Sequence, residues 1–121
     1  MASSRLANSV EMLLLAIERL CNTLDAENAQ IASRKKVDYH QFNLRKSQAL
    51  LELTRLMPVV AGIEIDAKLR AALLALRAKL EDNRRILRVQ LKAVQEVSEI
   101  IARTIQAGQS DGTYSAHVWR D

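Results

Sequence analysis

The chain has 121 residues and a formal net charge of +4, with only three glycines, one proline and 3% aromatic residues. A sheet protein of this length needs frequent turns rich in glycine, proline and asparagine, so the composition excludes all-β and α/β folds and predicts an all-α protein. The basic excess lies between residues 32 and 92 and alternates with acidic residues, which makes a solvated helix surface a better interpretation than a nucleic-acid interface.

The first predicted helix runs from about residue 8 to residue 32, with Asn8 or Ser9 as a candidate N-cap. Its apolar residues recur mainly at steps of three and four, which is typical of one helical face. They are Val10, Leu13, Ile17, Leu20, Leu24 and Ile31. Cys21 is the only cysteine; we interpret it as a small core residue rather than a reactive thiol, which fits a reducing compartment.

Residues 33–38 allow two interpretations. If the helix continued through them, Lys35 and Asp38 would lie on the same stripe as Ile31, so a turn with Asp38 capping the next helix is favoured. No glycine or proline enforces that turn. One bent helix from residue 8 to residue 57, forming an α-hairpin with the last helix, is therefore the alternative.

The second predicted helix runs from about residue 39 to residue 57. Pro58 is expected to end it, because proline disfavours helical geometry in the residue before it. Its apolar line is Phe42, Ala49, Leu50, Leu53 and Leu56. Residues 58–65 form the predicted loop, and Asp66 is a candidate cap for the next helix.

The third predicted helix runs from about residue 66 to residue 107, and Gly108 is expected to end it. Alternating steps of four and three define a heptad line over five heptads. The line is Leu69, Leu73, Leu76, Leu80, Asn83, Leu87, Gln90, Val94, Val97, Ile101 and Thr104. Asn83 has two interpretations: a buried residue that sets the register between helices, or a residue beside a line that shifts toward Ile86 and Leu87.

The predicted architecture is an elongated antiparallel bundle of about three helices over residues 1–108, followed by an irregular tail over residues 109–121. Tyr114, Val118 and Trp119 are apolar residues in a tail too short to build a core. They either fold back onto the bundle or meet a partner, since tyrosine and tryptophan are enriched at interfaces.

The sequence contains no motif for catalysis, phosphate binding or metal binding, and His40 and His117 lie in different segments. We therefore expect no enzyme, no cofactor and no metal. The longest apolar runs have six residues, far below the roughly 20 that span a bilayer, so a cytoplasmic protein without a membrane span is expected.

Four segments, in this order, resemble the FlgN-type flagellar export chaperones. They are DAEN at 25–28, NLRKSQALLEL at 43–53, LEDNRRIL at 80–87 and SDGTYS at 110–115. The resemblance implies a cytoplasmic chaperone that binds hook-associated proteins of the hook–filament junction, prevents their premature assembly and delivers them to the flagellar export gate.

The resemblance also implies that the end of the third helix and the tail bind the client, with Tyr114 matching the family's gate-docking tyrosine. The candidate client-binding residues are Val94, Val97, Ile101, Ile105, Tyr114, Val118 and Trp119. Two other functions compete with this one. One is a structural coiled coil that self-associates through the heptad line as a homo-oligomer, and the other is a nucleic-acid-binding module that uses Arg84, Arg85, Arg88 and Lys92.

Overall fold

The structure is a computed structural model that describes residues 2–62 and 65–111. These residues form three α-helices: α1 (Ala2–Ala32), α2 (Tyr39–Val60) and α3 (Ala67–Asp111). The part of the chain that is described contains no strand, and the prediction of an all-α helical bundle is confirmed.

The chain divides into two compact units, residues 1–84 and residues 85–121. The boundary falls inside α3, between Arg84 and Arg85. The physical reason is that the heptad line of α3 is buried at Leu69, Leu76 and Asn83, whereas every side chain from Arg88 to Gly108 is exposed. The described part of the second unit is therefore a single stretch of helix.

The core of the first unit contains side chains from all three helices. Helix α1 supplies half of it: four residues of the stripe that its periodicity predicts, and Ala16 beside them. The buried cluster consists of Leu13, Ala16, Ile17, Leu20, Leu24, Ala49, Leu53, Val60, Leu69 and Leu76. Burying a leucine or isoleucine side chain stabilises the fold by about 1.5–3 kcal/mol, so this cluster holds the three helices together.

The ion pairs within the first unit fix the helix directions. Arg19 contacts Glu52 and Glu27 contacts Lys46, so α2 runs antiparallel to α1. On α3, Lys79 contacts Asp25 and Asn83 contacts Glu27. Residue numbers therefore rise together along α1 and α3, which gives the up-down-up order of a three-helix bundle.

The turn favoured for residues 33–38 is present, and α1 and α2 are separate helices. Arg34 adopts a left-handed φ of 57°, and its amide donates a hydrogen bond to the carbonyl of Ile31 at 3.2 Å. Asp38 caps α2 by accepting a hydrogen bond from the amide of Gln41 at 3.1 Å. Asp66 caps α3 in the same way, with the amide of Leu69 at 2.7 Å from its carboxylate.

Two expected helix ends were wrong near the termini. Helix α1 begins at Ala2 and not near residue 8, and Leu6 is half-buried one turn before Val10, so the apolar stripe extends into that turn. Helix α3 continues through Gly108 to Asp111. A glycine inside a helix costs only about 1 kcal/mol relative to alanine, which does not by itself end a long helix.

The expected end of α2 was also wrong, because the helix passes through Pro58 to Val60. Proline has no amide hydrogen to donate to the carbonyl of Thr54, but only two residues follow it in the helix. Val60 is 3% exposed and belongs to the core, so its burial holds the last turn in place. Leu50, expected on the apolar line of α2, is 44% exposed instead.

Candidate functional site

The candidate client-binding residues of α3 lie together on one side of the helix. Val94, Val97, Ile101 and Ile105 fall within about 80° of its circumference at 100° per residue. All four side chains are exposed, although such residues are usually buried. Neighbouring exposed apolar side chains of this kind mark interaction surfaces.

Three further apolar residues of the same helix stretch were not predicted: Val89, Leu91 and Ile100. They flank the heptad line and are as exposed as the residues on it. We call the seven residues together the α3 apolar face, and each is between 53% and 63% exposed. The face consists of Val89, Leu91, Val94, Val97, Ile100, Ile101 and Ile105. Apolar residues at the positions beside a heptad line were the signal that would have found them.

The charged residues of the same stretch lie on the other side of the helix. All six charged residues of residues 85–108 fall within about 80° of the circumference. They are Arg85, Arg88, Lys92, Glu96, Glu99 and Arg103. The apolar side contains Gln90, Ser98 and Thr104 but no charge. This separation makes the stretch strongly amphipathic, with its apolar side in water.

The three candidate residues of the tail, Tyr114, Val118 and Trp119, lie outside the described residues. His117 does too, and His40 is exposed in the first turn of α2. The part of the predicted client site that the structure describes is therefore the part on α3.

A second feature is a buried polar cluster where the three helices of the first unit meet. Lys46 Nζ lies 2.9 Å from Glu27 Oε1 and 3.3 Å from Asn83 Oδ1. Asn83 Nδ2 donates to Glu27 Oε1 at 2.7 Å and to Asn28 Oδ1 at 2.8 Å. We call Glu27, Lys46 and Asn83 the polar layer, because each comes from a different helix.

The polar layer is closed to solvent. Glu27 is 0% exposed and Asn83 4% exposed, and the Lys46 side chain is 14% exposed. The second carboxylate oxygen of Glu27, Oε2, has no hydrogen-bond partner among the described residues. Asn83 is thus buried and hydrogen-bonded to both other helices, as expected for a buried residue on the heptad line. That it sets the register between the helices stays a prediction.

The sequence carried a signal for the polar layer. The apolar stripe of each helix skips one turn, between Leu24 and Ile31, between Phe42 and Ala49, and between Leu80 and Leu87. The polar layer residues fill these three gaps at helical spacing. The three gaps predict a polar contact only if they lie at the same height along the bundle. The sequence does not give the relative heights of the helices, which are set by the tertiary fold.

The single thiol, that of Cys21, is half-buried. Cys21 packs at the edge of the core, and burial raises the pKa of its thiol, although the nearby Lys79 ammonium partly opposes the shift. Lys79 donates to both Asp25 oxygens at 2.7 and 2.8 Å, and this hydrogen bonding raises the pKa of Lys79. At neutral pH the thiol is protonated and weakly nucleophilic, as expected for a packing residue.

The grooves of the first unit are shallow. The one between α1 and α3 has a volume of about 340 Å³, with Leu14, Leu15 and Ala72 beside Glu11, Glu18 and Lys68. Over the described ranges, no three His, Cys, Asp or Glu side chains are grouped so that they could hold a metal ion. No helix among those residues is long and apolar enough to cross a membrane.

Comparison of the chain with protein-family models, curated proteins and solved structures finds no match. The α3 apolar face, with seven neighbouring apolar side chains that are each more than half exposed, is the candidate binding surface.

Proposed function

We propose that this protein is a chaperone without catalytic activity that binds a helical client through the α3 apolar face. The observation that carries the proposal is the set of seven large apolar side chains on one side of residues 89–105, each more than half exposed. Removing apolar surface from water is favourable by about 25 cal/mol per Å², which offsets part of the cost of association, and an amphipathic helix laid on the face would cover it.

The nature of the client follows from the resemblance to the FlgN-type chaperones. Members of that family bind the C-terminal helices of hook–filament junction proteins in the cytoplasm. A client helix with an apolar stripe fits the α3 apolar face, which offers no charged group for a polar ligand. Hook-associated proteins as clients, the export gate as a second partner and the cytoplasm as the compartment all belong to this proposal.

The mechanism needs no nucleotide. The client helix buries its stripe on α3 and is thereby kept from the partner that it meets in the assembled filament. Apolar contacts are non-directional, so one face can hold helices of different sequence. Release occurs when a competing partner offers the client a larger apolar contact. Tyr114 would supply the contact to the export gate.

The test compares two variants that add the same charge at neighbouring positions. Val94→Asp places a carboxylate in the centre of the α3 apolar face, and Gln95→Asp places one about 100° away, outside it. Both positions are exposed, so neither variant disturbs the core. The affinity of each full-length variant for a purified hook–filament junction protein is measured by calorimetry.

We expect Val94→Asp to lower the affinity at least tenfold and Gln95→Asp to change it less than twofold, because only the first desolvates a charge. Failure of the unaltered chain to bind the junction protein, or equal affinities of the two variants, would contradict the proposal.

A second candidate function is a structural coiled coil, and the same exposed face favours it because a second copy of α3 could cover part of it. Sedimentation distinguishes the two. A chain that stays monomeric at all concentrations excludes the coiled coil, whereas a dimer that persists unchanged with the junction protein present favours it over the chaperone.

A nucleic-acid-binding function has less support. Arg85, Arg88 and Lys92 share their side of α3 with Glu96 and Glu99, so phosphates would meet carboxylates there as well. Absence of binding to RNA or DNA at low salt would exclude this function.

A further inference from the structure

The heptad line of α3 can be packed against α1 and α2 in more than one register. The line repeats every seven residues from Leu69 to Thr104, and only its first part packs in the core. A slide of α3 by seven residues moves the helix about 10.5 Å along its axis and turns it by only about 20°. The next residues of the line would then meet nearly the same places on the other two helices.

Three residues of the line are buried in the observed register: Leu69, Leu76 and Asn83. Leu69 and Leu76 belong to the apolar cluster and are 1% and 6% exposed, whereas Asn83 lies in the polar layer. We call their places between the helices the two apolar sites and the polar site. A register of α3 is defined by the three residues that occupy these sites.

A slide of α3 toward its N-terminal end by one, two or three heptads puts an amide group in an apolar site. After seven residues, Asn83 takes the place of Leu76 and Gln90 enters the polar site. After fourteen residues, Asn83 and Gln90 occupy both apolar sites, and Val97 lies against the charges of the polar layer. A buried amide without hydrogen-bond partners costs free energy, and so does a buried charge that loses a hydrogen bond. A slide in the other direction brings in no helix, because α3 begins at Ala67.

We infer that the polar layer fixes the register of α3 and thereby determines which part of its apolar line is buried and which part is exposed. In the observed register, Asn83 Nδ2 donates to Glu27 Oε1 at 2.7 Å, and Lys46 Nζ donates to Asn83 Oδ1 at 3.3 Å. In a shifted register, Gln90 would reach these groups only if Asn83 lost its own partners among apolar side chains. The Asp66 cap also favours the observed register, but it contributes a single hydrogen bond. The exposure of the α3 apolar face is therefore a consequence of the register, whatever the face binds.

The test moves the amide by one heptad. A double variant, Asn83→Leu with Gln90→Asn, removes the amide from position 83 and places one at position 90. If the amide sets the register, α3 slides by seven residues. The new leucine then fills an apolar site, and the new asparagine meets Glu27 and Lys46. Gln90→Asn alone is the matched control, because Asn83 still occupies the polar site.

Thiol-to-thiol crosslinking reports the register. Lys79 Nζ lies 2.7 Å from an Asp25 oxygen, and position 86 would take the place of Lys79 after the slide. All proteins carry Cys21→Ser. Asp25→Cys is combined with either Lys79→Cys or Ile86→Cys, and each protein is treated with a short bismaleimide. With the unaltered layer and in the Gln90→Asn control, we expect the 25–79 pair to crosslink about tenfold more than the 25–86 pair, and the double variant should reverse the ratio.

A second variant tests the inference if the first one fails to fold. Replacing Glu27, Lys46, Asn83 and Gln90 by leucine makes the polar site and the residues that can enter it apolar. Circular dichroism should show a helical protein, and both cysteine pairs should crosslink, because several registers then bury similar apolar surface.

Two results would overturn the inference. One is a 25–79 pair that still predominates by about tenfold in either folded variant, since the register would then be set without the layer. The other is loss of helical structure in both variants, because the shifted register is expected to be a folded one.

Discussion

At the scale of single residues, the polar layer places a charged pair in the interior of the first unit. Glu27 is removed from water, its Oε2 has no hydrogen-bond partner among the described residues, and Lys46 Nζ lies 2.9 Å from its Oε1. Replacing both members of such a pair by apolar residues often leaves the stability of a protein unchanged. Removing one member lowers it, because the other charge stays buried without a partner. We expect the layer to favour one alignment of the three helices, because a shifted alignment would separate its members.

Lys46→Met should destabilise the protein by about 3 kcal/mol, because it leaves the Glu27 carboxylate buried without a counter-ion. Urea unfolding followed by circular dichroism measures the change. Lys79→Met is the matched control, since it removes a lysine from an exposed pair with Asp25 and should leave the unfolding midpoint nearly unchanged. Equal shifts in the two variants would contradict the assignment of the layer as a buried charge pair.

Cys21 should react slowly with thiol reagents in the folded protein. Burial raises its pKa, so a smaller fraction is thiolate at any pH below that pKa than in the unfolded chain. The rate of reaction with a disulfide reagent at pH 8 should increase in urea and, in the folded state, should increase as the pH is raised. A folded rate equal to the unfolded rate would show that the thiol is not shielded.

At the scale of helices, α3 is buried along the first part of its heptad line and exposed along the second. Its N-terminal part packs in the core through Leu69 and Leu76, and its C-terminal part exposes Val97 at the equivalent heptad position. The helix therefore cannot be assigned as core or surface from its period alone. Its start depends on the Asp66 cap, which orients the amide of the buried Leu69.

Asp66→Ala should cost about 1 kcal/mol of stability, because the first turn of α3 loses its side-chain acceptor. Asp38→Ala removes the corresponding cap of α2 and should cost a similar amount. The free energies of unfolding are compared by urea titration, with Asp66→Asn as the conservative control that keeps a capping oxygen. An Asn variant as unstable as the Ala variant would contradict the capping role.

At the scale of the whole molecule, the buried core and the face that we propose for client binding lie in different units. The described core residues all lie in the first unit, and the α3 apolar face lies in the second. An apolar side chain removed from the first unit should therefore lower the free energy of unfolding. The same kind of side chain removed from the α3 apolar face should instead lower the affinity for the client.

Leu20→Ala should destabilise the protein by about 2–5 kcal/mol, because Leu20 is fully buried in the core and its removal leaves a cavity. Val97→Ala should change the free energy of unfolding by less than about 0.5 kcal/mol, since Val97 is exposed. In binding to the junction protein, we expect Val97→Ala to weaken the complex. A large loss of stability in Val97→Ala would show that the face is part of the folded core.

Much of the fold follows from the sequence alone. The α1 stripe identified the core residues Leu13, Leu20 and Leu24, and the charges at Lys35 and Asp38 predicted the turn between the first two helices. These features are local, because helical period and capping depend on residues within a few turns. The predicted ends at Pro58 and Gly108 were wrong, because tertiary burial of Val60 and the low cost of one helical glycine outweigh local propensity.

The contrast along α3 was decided only by the tertiary structure. The heptad line from Leu69 to Thr104 is continuous in the sequence, and nothing in its period separates the part that meets α1 and α2 from the part left in water. Burial depends on which other segments lie alongside, and these come from distant positions in the chain. For the same reason the three gaps filled by Glu27, Lys46 and Asn83 are visible in the sequence, but their meeting in one buried layer depends on the alignment of three helices.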